Sequence, residues 1–267
     1  MQKWQEYFES NKKLWNGKTP VHIKSDFYDL EAFKKGKNFL NAVELEEMGN
    51  VKGKSLLHLQ CHFGQDTISW ERHGANVTGV DFSEAGIIEA KRLASELDSN
   101  AEFICSNVYD LKNNLKNKFD IIFTSYGSIY WLPDLNIWAD IISSFLKPGG
   151  FFYIVDFHNF LWMLDDKNMS EIVYPYFNYG PITEEVEGTY ADPDSAVNGK
   201  ETGWNHSMSE ILNSLIFADL KIQFFNEFSF SSYNVFPGMV QIEKGKYVLK
   251  KFANKIPYMF SIKAIKN

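Results

Sequence analysis

Short apolar runs alternate with helix-like stretches between residues 54 and 157, and this alternation constrains the fold more than any other feature. The runs are rich in β-branched and aromatic residues and end at polar or turn residues, as buried strands do. They are SLLHLQ (55–60), NVTGVDF (76–82), AEFICSNV (101–108), FDIIFTSYG (119–127) and GFFYIVDF (150–157), with helices predicted over 66–73, 83–98 and 134–147. Strands joined by crossover helices form a parallel sheet with both faces covered, so the pattern predicts an α/β fold.

Elements outside this core extend the sheet and add helices. Two strand candidates, 220–230 and 258–265, raise the predicted sheet to seven mostly parallel strands. Residues 1–50 show helical spacing and predict an N-terminal helical cap. Ser207 and Glu210 have the spacing of a capping box, which predicts a helix over 208–219.

The stretch between the core and these last elements is less regular. IVYPYF (172–177) and ITEEVEGTY (182–190) predict a hairpin, and the turn-rich residues 191–203 predict a surface loop. Because no linker separates the halves, we expect one domain over 1–267. Its parts would be a helical cap at 1–50, a cofactor-binding core at 54–157, and lid insertions at 160–206 and 230–256.

Charge and composition limit the partners. A net charge of -7 and a pI near 5.4 argue against nucleic acid, which requires a basic surface. The charged N-terminus and the lack of an apolar run approaching ~20 residues predict a cytoplasmic protein without a membrane span. The aromatic share of 16% exceeds what a small core needs. Most of these rings pack as core, and we expect the others to line a pocket.

The turn after the first predicted strand, LLHLQCHFGQDT (56–67), indicates the kind of ligand. A dinucleotide site requires G-x-G-x-x-G, because the main chain must approach a pyrophosphate closely. Gln60, Cys61 and His62 are bulky at these positions, and only Gly64 is a glycine. A nicotinamide oxidoreductase is therefore disfavoured, and a cofactor without phosphate fits better.

The second predicted strand ends in Asp81 and Phe82. A carboxylate at this place is positioned to accept hydrogen bonds from two ribose hydroxyls, and Phe82 is positioned to stack on a purine. The alternative is that Asp81 and Ser83 only cap the helix that begins near residue 84.

The third and fourth predicted strands bring further polar and aromatic residues to the same edge. Asn107 is placed to accept from an adenine amino group, and the main-chain amide of Val108 to donate to the ring. The fourth strand carries Ser125, Tyr126, Tyr130 and Trp131 to the cofactor's reactive end, and a tight LKPGG turn precedes the fifth strand.

With these elements in this order, residues 54–157 resemble the class I S-adenosylmethionine (SAM)-dependent methyltransferase superfamily. The whole chain is similar to a bacterial branch of it that carries LHLQCHFGQDT and GVDFSEAGI stretches, and the resemblance names no methyl acceptor. It implies a Rossmann-like sheet with helices on both faces and SAM as the cofactor. The implied cofactor residues are Gln60, Cys61, His62 and Gly64 beside the methionine moiety, Asp81 at the ribose, Phe82, Asn107 and Val108 at the adenine, and Ser125.

The first motif departs from the superfamily pattern. An acid usually stands where this chain has His58, and glycines where it has Gln60 and His62. Either Gln60 or His62 is then available to hold the amino group of the cofactor. His58, Cys61 and His62 also suggest a metal site, which we reject because a strand alternates its side chains and no second ligand pair follows.

The resemblance implies methyl transfer to a small-molecule acceptor, which requires in-line positioning and exclusion of water. Tyr130, Trp131 and Trp204 are candidates for the acceptor pocket, and Tyr126 and His158 for catalysis. An imidazole at the end of the fifth strand can take a proton from the acceptor. The alternative is that His158 only hydrogen-bonds the adjoining loop or caps a short helix. A SAM-binding sensor or partner subunit without transferase activity is the second function considered.

Overall fold

The computed structural model describes residues 2–267 and contains one large sheet and two hairpins. The strands of the large sheet are β1 (Ser55–Leu59), β2 (Asn76–Asp81), β3 (Glu102–Cys105), β4 (Phe119–Ser125), β5 (Leu146–Phe157), β8 (Leu220–Phe228) and β11 (Met259–Lys266). The hairpins consist of β6 (Ile182–Glu187) with β7 (Asn198–Gly203) and β9 (Met239–Glu243) with β10 (Lys246–Leu249).

The seven strands lie in the order β3–β2–β1–β4–β5–β11–β8. The first five are mutually parallel, and β11 runs antiparallel to both of its neighbours. The predicted α/β class and the seven-stranded, mostly parallel sheet are confirmed. Since β1 is central and β2 and β4 flank it, the carboxyl ends of these three strands meet at one edge.

Helices cover both faces of the sheet. They are α1 (Gln5–His22), α2 (Leu30–Lys34), α3 (Ala42–Met48), α4 (Gln65–Arg72), α5 (Glu84–Glu96), α6 (Leu111–Asn114), α7 (Leu135–Phe145) and α8 (Met208–Phe217). Alternate residues of a strand point to opposite faces. Leu57 accordingly packs in the cluster that contains Trp138 of α7, and Leu56 in the cluster that contains Trp70 of α4.

The predicted start of α8 is confirmed, although only half of its capping box forms. The Ser207 hydroxyl accepts from the main-chain N–H of Glu210 at 3.1 Å. The Glu210 carboxylate does not return to the cap and lies 3.0 Å from the imidazole of His206. Within residues 2–267, no helix combines the length and the apolar character needed to span a bilayer.

The hairpin prediction for 172–177 with 182–190 is wrong. β6 pairs instead with β7, which lies in the stretch predicted as a surface loop. Pro175 has no N–H for a ladder, and its carbonyl accepts from the Asn205 side chain. β7 is held by a tertiary contact that no local pattern reveals. The buried Asn11 amide of α1 donates to the Thr202 carbonyl at 2.7 Å and accepts from the Thr202 N–H at 2.9 Å.

Candidate functional site

A cavity of about 820 Å³ lies at the carboxyl ends of β1, β2, β3 and β4. Its volume falls within the range of about 300–1,000 Å³ that is usual for small-molecule sites. Of the residues that the sequence singled out, twelve line it: Gln60, Cys61, His62, Gly64, Asp81, Phe82, Asn107, Val108, Ser125, Tyr126, Tyr130 and Trp131. The structure therefore brings together segments that are far apart in the chain.

The cavity has two walls of different origin. We call residues 58–66, 81–82, 106–108 and 125–128 the sheet wall, since they follow strand ends directly. We call the cavity residues of α1, of 27–28, of 162–201 and of 233–237 the cap wall. Its members that the sequence did not single out as site residues include Asn11, Lys18, Phe27, Tyr28, Trp162, Tyr190, Glu201, Tyr233 and Phe236.

The turn after β1 has a left-handed main chain at three alternate residues. The φ angles are 58° at Gln60, 52° at His62 and 81° at Gly64. At Gly64 a glycine is required, because an added Cβ would lie 2.5 Å from the Phe103 ring. At the other two positions a side chain costs on the order of 1–2 kcal/mol in this conformation. Surrounding hydrogen bonds hold the turn in this conformation. One of them runs from the side-chain amide of Gln60 to the Ser128 carbonyl, at 2.9 Å.

Asp81 is buried at the end of β2 and organises this turn. Its carboxylate accepts from the main-chain N–H of His62 at 2.8 Å and from that of Ser83 at 2.9 Å. Burial raises its pKa to about 6. Ser83 is the residue that caps α5, accepting from the Gly86 N–H at 3.0 Å. Each Asp81 oxygen accepts only one of these main-chain bonds and has a second lone pair for a ligand.

The ends of β2 and β3 form the part of the cavity where the sequence predicts an adenine. Phe82, Ser106, Asn107 and Val108 all line it. The Asn107 side chain accepts from the Tyr109 N–H at 3.0 Å and so caps the short helix Val108–Asp110. This bond fixes the orientation of the amide and leaves its other lone pair and its NH2 group for a ligand.

Helix α1 closes the cavity over the turn through histidine and tryptophan side chains. His22 Nδ1 and His62 Nε2 are 2.8 Å apart, so one ring donates to the other. Burial lowers the pKa of His22 to about 3 and that of His62 well below its usual value, which keeps both rings neutral. The Trp15 ring stands edge-on to His62 and to Trp131, with centroids 5.2 and 5.4 Å away.

His58 replaces the acid of the superfamily pattern and is itself satisfied within the core. Its Nδ1 lies 2.8 Å from the Thr67 hydroxyl, and burial lowers its pKa to about 3. Among residues 2–267 no group of three or more His, Cys, Asp or Glu side chains is arranged to hold a metal ion.

Asp66, in the first turn of α4, is a cavity residue that the sequence analysis missed. Burial raises its pKa to about 6, an effect that the nearby Ser125 hydroxyl reduces. An acid in the first turn of a helix is ordinarily explained by its favourable interaction with the helix dipole. The position of Asp66 in the sequence therefore did not indicate a role in the site.

Tyr126 follows β4 and lines the cavity, but its hydroxyl is already bonded on the side away from the strand end. It donates to the Glu44 carboxylate at 2.8 Å and accepts from the Asn41 amide at 3.2 Å. Burial raises the pKa of Tyr126 well above its usual value, and that of Glu44 to about 7. The phenol therefore keeps its proton at neutral pH and is suited to orienting a ligand rather than to deprotonating it.

Two predicted site residues lie outside the cavity lining. His158 is buried beside the sheet, where its Nε2 bonds to Glu227 at 3.0 Å and its Nδ1 accepts from the Phe160 N–H at 3.1 Å. The geometry matches the structural alternative, in which His158 hydrogen-bonds the adjoining segment. Trp204 is also buried, and it packs against Tyr7 of α1 outside the cavity lining.

The cap wall is closed by side-chain contacts between distant segments. The Tyr28 and Tyr190 hydroxyls are 2.5 Å apart, and Lys18 pairs with Glu201 at 3.0 Å. The Tyr130 ring stacks on Trp162 with centroids 5.1 Å apart. Residues of 162–201 and 233–237 thus reach the cavity, and four of them do so with aromatic rings: Trp162, Tyr190, Tyr233 and Phe236.

Comparison with known proteins gives a methyltransferase domain over residues 57–152. Over 131 residues the chain is 30% identical to the ubiquinone biosynthesis O-methyltransferase of Coxiella burnetii, with 48% of this chain and 55% of that protein covered. The chain thus spans about half the length of this curated relative.

Solved structures share the fold. A SAM-dependent methyltransferase of Clostridium acetobutylicum superposes with a TM-score of 0.58 at 16% identity, covering 94% of this chain and 96% of its own. A SAM-dependent methyltransferase of Mesorhizobium loti gives 0.55 at 18% identity, covering 85% and 99%.

Proposed function

We propose that this chain, which belongs to the class I SAM-dependent methyltransferase superfamily, transfers a methyl group from SAM to a small-molecule acceptor. The observation that carries the proposal is Asp81, a buried carboxylate with free lone pairs at the end of β2, beside a turn filled with side chains. A ribose needs such a carboxylate, and a pyrophosphate would need the glycines that are missing.

The sheet wall offers one contact region for each part of the cofactor. Asp81 would accept from the ribose hydroxyls, and Phe82, Asn107 and Val108 would enclose the adenine. The reactive end would then lie near Ser125, at the end of the neighbouring strand β4. These assignments use strand ends whose relative positions are fixed by the parallel ladder.

The cap wall would hold the acceptor and keep water out. Methyl transfer is a displacement whose rate depends chiefly on in-line approach in an enclosed space. The lid insertions would open to admit the acceptor and then restore the ring contacts around Tyr130 and Tyr190. A small acceptor fits this arrangement, because residues of α1 and of the β6–β7 hairpin line the cavity together with the sheet wall.

A SAM-binding protein without transferase activity is the second candidate. The observation that favours it is the presence of Gln60 and His62 side chains where the superfamily has glycines. Incubation with SAM and a metabolite extract separates the two functions. A transferase releases S-adenosylhomocysteine in proportion to the extract added, whereas a sensor binds SAM and releases none.

Calorimetric titration with S-adenosylhomocysteine tests the cofactor assignment. Asp81→Ala should weaken binding by about 2–4 kcal/mol, because two hydrogen bonds to a charged group are lost. Ser83→Ala is the matched control, since it removes the adjacent helix cap but no proposed ligand contact. Unchanged affinity of a folded Asp81→Ala protein would remove Asp81 from the site, and a circular dichroism melt establishes that the protein is folded.

A further inference from the structure

A buried carboxylate on α3 lies beside the cavity without a cation. Glu44 is fully buried, and among residues 2–267 no lysine, arginine or histidine forms an ion pair with it. Its Oε1 accepts from the main-chain N–H of Asn41 at 2.7 Å and from the Asn41 side-chain amide at 3.1 Å, as part of the capping box of α3. A capping box does not require its carboxylate to be buried, and burial of an unpaired charge is costly. The position of Glu44 therefore indicates a further role.

The second oxygen of Glu44 is connected to the cavity through Tyr126. The Tyr126 phenol donates to Oε2 at 2.8 Å, and the same residue lines the cavity directly after β4. Its main chain has a φ of 34°, which is unfavourable for a residue with a side chain, and such strained residues cluster at functional sites. The phenol oxygen also accepts from the Asn41 amide at 3.2 Å, which leaves one lone pair for a group inside the cavity.

The other titratable groups around Glu44 are two phenols and two carboxylates. Burial raises the pKa of Tyr153 and of Tyr233, so both phenols keep their protons, and Tyr153 donates to Glu47 one turn further along α3. Burial and, to a smaller extent, the charge of Asp66 raise the pKa of Glu44 to about 7. Glu44 can therefore both accept and release a proton near neutral pH.

We propose that Glu44, acting through Tyr126, takes the proton of a hydroxyl acceptor during methyl transfer. The proposal rests on the proposed function, which puts the reactive end of the cofactor near Ser125, the residue before Tyr126. The acceptor hydroxyl would donate to the remaining lone pair of the phenol. As the phenol takes this proton, its own proton moves to Oε2 of Glu44, so the phenol never has to hold a charge.

The electron pair left on the acceptor oxygen forms the new bond to the methyl carbon. The C–S bond of SAM breaks, and its electron pair stays on the sulfur. The negative charge of Glu44 and the positive charge of the sulfonium are both lost in the same step. An alcohol or phenol gains most from this relay, because its oxygen is a weak nucleophile until the proton leaves. A thioether or a tertiary amine has no proton to give.

The pH dependence of turnover tests the relay. The readout is the initial rate of S-adenosylhomocysteine release from SAM with a fixed amount of metabolite extract. In the wild type this rate should rise with pH and level off above about 7, because Glu44 must be ionised to accept the proton. Glu44→Gln retains the capping box and cannot take a proton, so the rate should fall by ~10²-fold and the rising limb should disappear. A folded Glu44→Gln protein that keeps this limb and a rate within ~3-fold of the wild type would overturn the proposal.

Two variants control for other groups of the same cavity. Tyr233→Phe removes a hydroxyl that accepts from Asn41 at 3.0 Å and does not contact Glu44, so the rising limb should remain. Asp66→Asn removes a carboxylate whose pKa burial raises to about 6, and the limb should remain here as well. Loss of the limb in Asp66→Asn together with its retention in Glu44→Gln would assign the titration to Asp66 and overturn the role of Glu44.

Tyr126→Phe tests whether the two residues act as a unit. It should lose the same limb, and the double variant with Glu44→Gln should be within ~3-fold of the slower single variant, because both changes interrupt one path. If the two losses multiplied to ~10⁴-fold, the residues would act independently and the relay would be wrong.

Infrared difference spectra of the protein without ligands follow Glu44 independently of turnover. The C=O band of a protonated carboxyl should be lost as pH rises through about 7 and should be missing in Glu44→Gln. In Tyr126→Phe it should move to higher frequency, because the hydrogen bond from the phenol is gone. Absence of any band that depends on Glu44 would show that this residue does not titrate near neutral pH and would overturn the proposal.

The remaining outcomes distinguish the relay from the proposed function. If the wild type releases S-adenosylhomocysteine and the variants leave its pH profile unchanged, the proposed function stands and the relay fails. If the wild type releases none with any extract, the proposed function fails, and the relay fails with it.

Discussion

The two walls of the cavity are built in different ways. The sheet wall comes from residues that directly follow strands, and main-chain groups hold its side chains in place, as at Asp81 and Asn107. The cap wall comes from segments separated by more than a hundred residues, and ring-to-ring contacts such as Tyr130 with Trp162 hold it. The sheet wall suits a ligand that stays the same, such as a cofactor. The cap wall can be altered by substitution without disturbing the sheet. We therefore expect substitutions in the sheet wall to act on the cofactor and those in the cap wall to act on the acceptor.

Gly64→Ala should have the largest effect, because the sheet wall depends on its main-chain conformation. The new Cβ would meet the Phe103 ring and occupy a left-handed φ of 81°. We expect a loss of about 2–5 kcal/mol in the free energy of unfolding, measured by urea denaturation. Gly53→Ala is the matched control, since its φ is 73° but nothing lies within 4 Å of an added Cβ. Equal losses in the two variants would mean that the Phe103 contact is unimportant.

The buried carboxylates of the sheet wall should make stability depend on pH. Burial raises the pKa of Asp66 and of Asp81 to about 6, above the unfolded value of roughly 3.9. Between these values the folded state binds more protons than the unfolded state, so stability falls as pH rises from about 4 to about 6. Each group contributes on the order of 3 kcal/mol at most. Asp66→Asn should make the fall in urea denaturation midpoints less steep than in the wild type, and an equally steep fall would contradict a raised pKa at Asp66.

Asn11→Leu tests the cap wall, where it breaks the attachment of the β6–β7 hairpin to α1. The N–H and C=O of Thr202 lose their buried partner, which should cost about 2–3 kcal/mol of stability. The affinity for S-adenosylhomocysteine should change less than the KM for an acceptor. Ser10→Ala removes only an exposed bond to the Lys200 carbonyl of the same hairpin and serves as the control. An equal change in cofactor affinity and in acceptor KM would mean that the two walls do not act independently on the two ligands.

His158→Asn should have the smallest effect, because the residue lies in neither wall. An asparagine oxygen can still accept from the Phe160 N–H, so only the bond to Glu227 is lost. We expect turnover to stay within ~3-fold and stability to fall by about 1 kcal/mol, and Glu227→Ala, which removes the acceptor, should reproduce both results. A fall in turnover of ~10²-fold, with loss of one limb of the pH–rate profile, would restore His158 as the base.

Most of the sheet and most residues of the sheet wall could be predicted from local patterns in the sequence. Strand periodicity placed β1, β2 and β4, and Asp81 and Ser125 stand where those strands end. Such residues can be predicted because a parallel sheet brings the carboxyl ends of its strands to one edge. The sequence could not show that Gln60 and His62 adopt the left-handed conformation of the glycines they replace, since the cost is offset by bonds from elsewhere in the chain.

The cap wall and the contacts of individual side chains could not be predicted in this way, because they depend on tertiary packing. The pairing of β6 with β7 depends on Asn11, which lies 191 residues from Thr202 in sequence. His158 ends a strand at the right edge, but its ring turns to Glu227, and no periodicity encodes that direction. Asp66 has an ordinary explanation in the sequence as a helix-terminal acid, and only the fold places it in the lining of the cavity. Local patterns fix which elements form, whereas the contacts of a side chain depend on which distant segments pack beside it.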